Sequence, residues 1–403
     1  MTSTRDHGAP VLDIDPYADA VLERPCETWK ALREAGDVVW LPKYGVYCMG
    51  RHVTVRPMLK DWEAFSSTGG SGLGDIRKPD AWRPGSPIVE VDPPRHTHVR
   101  RVLQKILSPG TIRSWQETFD RIAQEKVAAL LAAGGVIDGV KDFSEDFVAA
   151  TFPDALGLKD GPERTENLYL LGELNFDGQG PFNERYRATQ ARADAIDDWF
   201  RWSMTRGAMV EGGFGAQIFE AADRGEIEPE VAPLLARSFV RGGLDTTAAT
   251  ISAALMHLAA DPGQFERLRA DETLVRGAFD EAMRMETPIP NVCRLTMREV
   301  QVGDALLEAD AKVLMILACA NRDETAFERP DAFDMTRDNR FSVALGEGVH
   351  RCIGQMIAKA EGEAALRAVA RQVSAIEPAG VPVRRLNNNL RSLRSLPLRL
   401  TAA

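Results

Sequence analysis

The amino-acid sequence predicts a mainly α protein with a minor β component. Apolar residues recur at helical spacing over several long segments, and patterns typical of strands are confined to short stretches. The predicted helices are 16–35, 112–134, 142–158, about 229–260 and 353–370. The strand patterns are a hairpin within 38–47, where aromatic and apolar residues alternate around a Lys-Tyr-Gly turn, and a strand–turn–strand unit at the C-terminus.

Composition restricts the class of protein. The chain has 403 residues, of which 44% are hydrophobic and 27% charged, and a net charge of −10. These values are typical of a globular protein with a large core and argue against nucleic acid as the main partner. Five scattered cysteines fit a reducing compartment without disulfide bonds. Residues 1–15 are polar with no apolar segment, so we expect a cytoplasmic protein without membrane association, and one continuous domain over 16–403.

The predicted helix 229–260 contains the run RGGLDTT, residues 241–247. Two adjacent glycines inside a helix cost about 1 kcal/mol each relative to alanine, which suggests that a ligand needs room beside the backbone. The Thr246 hydroxyl either serves that ligand or bonds back to the preceding turn. Arg241, one turn before Asp245, either forms an intrahelical pair with it or points into a pocket and holds a substrate anion.

The stretch 345–361 combines a glycine-rich loop with the start of a helix. Cys352 stands just before the helical run 353–370, and a thiol at the start of a helix has a lowered pKa and is a good soft metal ligand. Because the chain has no CxxC or HxxxH spacing, a zinc site is poorly supported. A single cysteine on such a loop suits a metal whose other ligands come from elsewhere, as in haem.

This loop resembles the haem-binding loop of the cytochrome P450 family, whose pattern is Phe-x-x-Gly-x-His/Arg-x-Cys-x-Gly. Gly348, His350, Cys352 and Gly354 match the pattern in type and spacing. Leu345 departs from it, since the family usually has a phenylalanine there that packs beside the sulfur. The resemblance implies the cytochrome P450 fold, haem b as cofactor and Cys352 as the iron ligand.

Further motifs resemble the family in the same order along the chain. The segment DPPRHTHVRR, in which Asp92-Pro93-Pro94 is expected to cap a helix, resembles the one whose histidine and arginine, here His96 and Arg100, bind the haem propionates. The alternative is a solvated basic face. Glu281 and Arg284 resemble the family's Glu-x-x-Arg, which stabilises the core on the cysteine side of the haem, and their alternative is an ordinary surface pair.

The remaining resemblances concern the reaction. Arg294 resembles a further propionate-binding arginine, and the run 241–247 resembles the oxygen-activation segment, in which an acid–alcohol pair, here Asp245 and Thr246, delivers protons. The resemblance implies a monooxygenase that uses O₂ and two electrons from an iron–sulfur ferredoxin and its NAD(P)H-dependent reductase. Candidates for the basic surface that receives the ferredoxin are Arg101, Lys105 and Arg351.

Several stretches, among them RSFVRGGLDTT and LPLRLTAA, resemble the bacterial subgroup that oxidises para-substituted benzoates. Where that subgroup has an anchoring arginine this chain has Thr68, and where it has a serine this chain has Arg241. We therefore expect a rebuilt anchor for the oxyanion of an aromatic substrate, either a para-substituted benzoate or an aryl phosphate such as a para-alkylphenyl phosphate, which is hydroxylated or O-dealkylated at its para substituent. The anchor candidates are the backbone N–H groups of Thr68, Gly69, Gly70 and Ser71, with Ser238 and Arg241. The candidates to line the pocket are Phe176, Val292 and Leu393.

Two other classes of function remain open. An arginine on the central helix is suggestive of a haem enzyme driven by peroxide. A haem sensor without catalysis would need no oxygen-activation machinery. The Asp245–Thr246 pair argues against both.

Overall fold

The computed structural model describes residues 8–403, and residues 1–7 of the predicted polar N-terminal segment lie outside that range. The α-helices within it are α1 Asp19–Glu23, α2 Cys26–Ala35, α3 His52–Lys60, α4 Arg95–Ile106, α5 Pro109–Ala133, α6 Asp146–Leu156, α7 Arg164–Asp177, α8 Glu184–Asp194, α9 Asp197–Ser203, α10 Phe214–Asp223, α11 Val231–Gly242, α12 Asp245–Ala260, α13 Pro262–Ala270, α14 Val275–Glu286, α15 Leu317–Ala320 and α16 Gln355–Gln372. The predicted mainly α architecture is confirmed.

The strands are short, as predicted. They are β1 Val39–Leu41, β2 Val46–Met49, β3 Phe65–Ser66, β4 Val136–Asp138, β5 Asn291–Thr296, β6 Val300–Val302, β7 Ala305–Leu307, β8 Lys312–Ile316, β9 Val373–Pro378, β10 Val383–Arg385, β11 Ser392–Ser395 and β12 Pro397–Ala402. A five-stranded sheet has the order β1-β2-β8-β5-β3, with β2 and β8 parallel and its other pairs antiparallel. The predicted hairpin is its β1–β2 pair, and the predicted C-terminal unit is the antiparallel β10–β11 pair.

The largest apolar core lies among the long helices. Side chains from α5, α6, α11, α12, α14 and α16 form one buried cluster, and two smaller clusters lie beside the five-stranded sheet. Among residues 8–403 no helix is both long and apolar enough to cross a membrane. The expected single domain over 16–403 stays a prediction.

Two predicted helices are interrupted near their starts. The segment 16–35 divides into α1 and α2, with Pro25 at the N-cap of α2, because proline restricts the backbone of the residue before it and lacks an N–H donor. The segment 142–158 begins in a π-helical stretch, Gly139–Glu145, and only then becomes α6.

The predicted continuous helix 229–260 is wrong, because the chain breaks between α11 and α12. Leu244 has φ −91° and ψ −60°, and α12 begins at Asp245. A Cβ atom on Gly243 would lie 2.0 Å from the Phe152 ring, so the second glycine is required by packing against α6. A Cβ on Gly242, by contrast, would meet no atom of residues 8–403 within 4 Å. Of the two glycines, only Gly242 therefore has the free space beside the backbone that was predicted for a ligand.

Candidate active site

A cavity of about 360 Å³ lies between the α11–α12 break and the loop that precedes α16. This volume is within the roughly 300–1,000 Å³ of a typical small-molecule site. The predicted site residues that line it are Ser71, Arg100, Phe176, Ser238, Arg241, Thr246, Val292, Arg294, His350, Cys352 and Gly354. Local sequence motifs from distant parts of the chain thus meet in one place.

Cys352 lies on a loop that two glycines allow to turn sharply. Gly346 and Gly348 have φ of 71° and 70°, and the Cys352 N–H donates to the Leu345 carbonyl at 2.8 Å. The thiol opens onto the cavity. Its surroundings raise its pKa through burial, although backbone N–H groups at the start of α16 act in the opposite direction. The predicted net lowering is wrong, and coordination by a metal would deprotonate this thiol.

Next to the thiol lies a cluster of basic side chains with few acidic partners. His96 is 1% exposed, and neither of its ring nitrogens has a hydrogen-bond partner among residues 8–403. Arg294 is also buried and donates to the Cys293 carbonyl at 2.8 Å. Arg100 lines the same cavity. Buried polar atoms without partners cost about 1–3 kcal/mol each, so this cluster fits a ligand with anionic arms, as haem has in its propionates.

The His350 ring is hydrogen-bonded to Asp92, which lies in the segment before α4. Its Nε2 lies 3.1 Å from Asp92 Oδ1, and the His96 and His350 rings are 4.5 Å apart. The segment 92–94 precedes α4 as predicted, with Pro94 at the N-cap. The Asp92 carboxylate makes no cap bond to α4 and instead accepts from the Ser66 hydroxyl and from His350.

Thr246 and Asp245 have different surroundings: Thr246 lines the cavity, and Asp245 lies beside Arg385 and does not line it. The Thr246 hydroxyl lines the cavity and also makes a long bond of 3.4 Å to the Gly242 carbonyl, so both interpretations of this residue have support. Asp245 Oδ1 lies 4.0 Å from Arg385 Nη1 on β10, and a Cβ on Gly172 of α7 would lie 1.8 Å from its Oδ2. Burial raises the Asp245 pKa to about 8, and Arg385 acts to lower it.

Three arginines that line the cavity form what we call the arginine cluster: Arg83, Arg237 and Arg241. Arg83 pairs with the buried Glu90 at 2.9 Å, and Arg237 donates to the Gly85 carbonyl. Burial alone would raise the Glu90 pKa, but Arg83 and the Ser71 hydroxyl outweigh it and hold that pKa below its usual value.

Arg241 does not form the intrahelical pair with Asp245 that the spacing allowed. Its guanidinium lies 4.6 Å from the Phe200 ring centroid, and its Nε is buried with no partner in the described part of the chain. Arg83 and Arg237 were not among the predicted site residues. Arg237 precedes Arg241 by one helical turn, which was an available signal, whereas nothing in the local sequence distinguished Arg83.

The glycine-rich loop at 68–71 is not the predicted anion nest. The Thr68 N–H donates to Ser66 Oγ at 3.0 Å and the Gly70 N–H to the Ser67 carbonyl at 2.8 Å. Lys312 Nζ approaches the carbonyls of Gly69 at 2.6 Å and of Gly70 at 2.9 Å, so the loop presents acceptors to a cation. Thr68, Gly69 and Gly70 do not line the cavity. Ser71 does, and its N–H and hydroxyl bind the internal carboxylate of Glu90.

The Glu281–Arg284 pair is fully buried, which excludes the surface-pair interpretation. Glu281 accepts two bonds of 2.8 Å from Arg284 and one of 2.9 Å from Arg337. Arg284 also donates to the Asn321 carbonyl at 2.6 Å. The pair joins α14 to the irregular segment after α15.

Two of the apolar residues predicted to line the pocket, Phe176 and Leu393, differ in position. Phe176 of α7 is buried and lines the cavity. Leu393 of β11 is also buried, but it packs in the main apolar core and is not a lining residue.

Comparisons with known proteins agree with this geometry. Residues 228–397 match the family described as cytochrome P450. The chain is 45% identical over 405 residues to a protein named cytochrome p450 CYP199A2 from Rhodopseudomonas palustris (strain ATCC BAA-98 / CGA009), covering 100% of this chain and 98% of that protein.

Solved structures give the same result. The structure of cytochrome P450 CYP109Q5 from Chondromyces apiculatus superposes with a TM-score of 0.77 at 28% identity, covering 97% of this chain and 99% of that one. The structure titled cytochrome P450 CREJ in complex with (4-ethylphenyl) dihydrogen phosphate superposes with a TM-score of 0.85 at 22% identity, covering 98% and 100% of the two chains. At that identity the second likeness is one of fold.

Proposed function

Since the chain belongs to the cytochrome P450 family and is a haem-dependent monooxygenase, we propose that it oxidises the para substituent of an aromatic anion held by the arginine cluster. The observation that carries the proposal is that this cluster lines the same cavity as Cys352 and Thr246. The anion is a carboxylate or a phosphate monoester. The reaction is hydroxylation or O-dealkylation.

The residues at the cysteine end of the cavity fit haem b. Cys352 would hold the iron, and His96, Arg100, Arg294 and His350 would hold the propionates, which gives the buried histidine the partner that it lacks within residues 8–403. The haem supplies the redox-active iron for O₂ reduction and oxygen transfer.

The positions of three side chains around the α11–α12 break support the position of the substrate. Arg237 and Arg241 lie on α11, Thr246 lies in the first turn of α12, and all three line the cavity. A para-substituted aromatic anion has its charged group at one end of the ring and its para substituent at the other. Its charged group would lie at the arginines and its para substituent near Thr246, with Phe176 and Val292 supplying apolar wall.

Thr246 and Asp245 support proton delivery. The Thr246 hydroxyl is on the cavity surface and can hold a water and pass on a proton at its Oγ1. Asp245 is buried behind it beside Arg385, so it replenishes that proton only after its carboxyl group turns toward Thr246.

A basic surface supports delivery of electrons by a ferredoxin with its reductase. Arg101 on α4 is exposed, and Lys105 is 74% exposed beside Glu226 at 3.9 Å. Arg351 is partly buried next to Cys352 and bonds Gln355 at 3.3 Å. A small acidic protein would be steered to such a surface, with an association rate that falls as salt rises. The cytoplasmic location stays a prediction.

Optical titration of the ferric, haem-loaded protein tests the proposed substrate class. Ligands that displace water from the iron shift the spin state, so 4-ethylbenzoate, 4-ethylphenyl phosphate and neutral 4-ethylphenol are compared directly. We expect at least one anion to bind about tenfold or more tightly than the phenol. Arg237→Gln should weaken the anions about tenfold and leave the phenol unchanged. Equal affinities for anions and phenol would contradict the proposal.

The same protein distinguishes the other classes of function. With O₂, NADH and a competent ferredoxin–reductase pair, product should carry oxygen on the ethyl group. Product formed from hydrogen peroxide alone at a comparable rate would indicate the peroxide-driven enzyme, for which Arg241 in the cavity is the favouring observation. Absence of substrate-dependent NADH oxidation would indicate a sensor.

A further inference from the structure

The arginine cluster carries more positive charge than its own acid neutralises. Glu90 Oε1 lies 2.9 Å from Arg83 and accepts from the Ser71 hydroxyl, and Glu90 Oε2 accepts from the Ser86 N–H. Within residues 8–403 neither Arg237 nor Arg241 forms an ion pair with a carboxylate. Glu90 therefore balances one of three positive charges and leaves two in a largely apolar cavity.

Arg241 is the member of the cluster with the fewest protein partners. Its guanidinium stacks on Phe200, which offers a π face and no negative charge. Burial and the nearby Arg237 and Arg83 lower its pKa to about 10, so it stays protonated at neutral pH. An arginine held in this way is available for a charge-assisted, bidentate bond to a ligand.

Two serine hydroxyls line the same cavity as the arginine cluster. Ser86 Oγ and Ser238 Oγ are 2.9 Å apart, and Ser238 Oγ already donates to the Leu234 carbonyl at 2.9 Å, so the arginines are the charged donors that face a ligand. A carboxylate ligand brings one charge and two oxygens to this set. An aryl phosphate brings close to two charges above its second pKa of about 6, and three terminal oxygens.

We propose that this end of the cavity selects a dianionic aryl phosphate monoester and that Arg241 is the residue that discriminates it from monoanions. The inference rests on the proposed function and goes beyond it by naming the charge of the substrate. A monoanion leaves one buried positive charge without a partner, which costs binding free energy. A phosphate monoester balances both charges.

The test compares two ligands of nearly the same shape and different charge. 4-Ethylphenyl phosphate is a dianion at pH 7.5 and 4-ethylphenyl sulfate is a monoanion, and both are titrated into the ferric holoenzyme by spin-state change and by calorimetry. We expect the phosphate to bind at least about tenfold more tightly. Its affinity should also rise between pH 5.5 and 7.5, as its second proton leaves, while the affinity for the sulfate stays constant.

Variants of Arg241 then test whether this residue causes the preference for phosphate over sulfate. Arg241→Gln should reduce the phosphate-to-sulfate affinity ratio about tenfold, and Arg241→Lys, which keeps the charge but loses the bidentate geometry, should give a ratio between those of Arg241→Gln and the wild type. Arg187→Gln is the matched control, because Arg187 also lies over a phenylalanine ring, at 5.0 Å from Phe182, but is exposed and outside the cavity. It should leave both affinities unchanged.

The outcomes separate this inference from the proposed function. Equal affinities for phosphate and sulfate, both tighter than 4-ethylphenol, would overturn the dianion inference and leave an enzyme for aromatic anions. A preference that survives Arg241→Gln, or that Arg187→Gln removes equally, would overturn the role of Arg241. If neither anion bound better than the phenol, the proposed function itself would fail. Should Arg241→Gln not fold, the wild-type ratio and the lysine variant still decide.

Discussion

Asp245 Oδ1 lies 4.0 Å from Arg385 Nη1, although the two residues are far apart in sequence and Arg385 belongs to the C-terminal β10–β11 pair. Arg385 is shared with Glu145, whose carboxylate lies 2.6 Å from its Nη2. The pKa of the acid expected to feed protons to Thr246 therefore depends on an arginine from the C-terminal part of the chain.

We expect Arg385→Gln to move the pH dependence of turnover upward. Burial raises the Asp245 pKa to about 8, Arg385 lowers it, and Glu145 and Glu173 raise it further. If the protonated acid is the active form, the wild-type rate at saturating substrate is constant below about pH 7 and falls near pH 8. Loss of the arginine removes the group that favours the ionised form, so the fall should occur at higher pH. Product formation measured between pH 6 and 9 tests this.

Arg385→Lys is the control for that measurement, because it keeps the positive charge. It should retain a fall near pH 8, with substrate affinity unchanged in both variants. A fall that stays in place or moves to lower pH in Arg385→Gln would show that Asp245 does not set the profile.

The two adjacent glycines at the helix break offer a matched pair of substitutions. Gly243→Ala would place a methyl group 2.0 Å from the Phe152 ring, and overpacking of this kind typically costs about 1–3 kcal/mol. Gly242→Ala meets no atom within 4 Å in the described range 8–403 and should change the free energy of unfolding by at most about 1 kcal/mol. Urea unfolding of the two proteins measures the difference. Equal effects would mean that the break is not held by the α6 contact.

Glu281→Ala should destabilise the protein strongly. It leaves Arg284 buried without a carboxylate, and removing one partner of a buried pair typically costs about 3–5 kcal/mol. Haem retention should fall with it, because the pair fixes the segment before the cysteine loop. Glu125→Ala is the control, since the Arg121–Glu125 pair is exposed and should contribute less than about 1 kcal/mol. Comparable losses of unfolding free energy in Glu281→Ala and Glu125→Ala would contradict the larger contribution expected from the buried pair.

Glu361→Gln should stabilise the protein at neutral pH. Burial raises the Glu361 pKa to about 8, and the Thr151 hydroxyl, at 2.8 Å from Oε1, acts weakly against it. The unfolded chain ionises this group near its ordinary pKa, so stability is lost as pH rises from about 4.5 to about 8. Removing the ionisation should add about 4 kcal/mol at pH 7.5 and less than about 1 kcal/mol at pH 4.5. Thermal unfolding at both pH values measures it, and a pH-independent gain would be the contrary result.

Short spacings in the sequence located residues that the structure brings into one cavity. The loop with Cys352 and the segment with Thr246 were recognisable because neighbours in sequence remain neighbours in space. The same reasoning failed for the loop at 68–71. Whether a glycine-rich loop presents N–H groups or carbonyls depends on its backbone torsions, and those are settled here by Lys312, from a strand more than 240 residues away.

The mainly α class could be predicted from the sequence alone because it depends on local periodicity. The resemblance of the Cys352 loop and the other motifs to one family was likewise visible in short runs of residue types. The partners of the buried charges, by contrast, are apparent only in the folded protein. In the folded protein Arg83, Arg237 and Arg241 line one cavity. Asp245 lies beside Arg385, and Glu90 accepts a hydrogen bond from the Ser71 hydroxyl. Charges buried in a low-dielectric interior are stabilised by whichever opposite groups the fold brings within a few ångströms, and that pairing has no signature in local sequence.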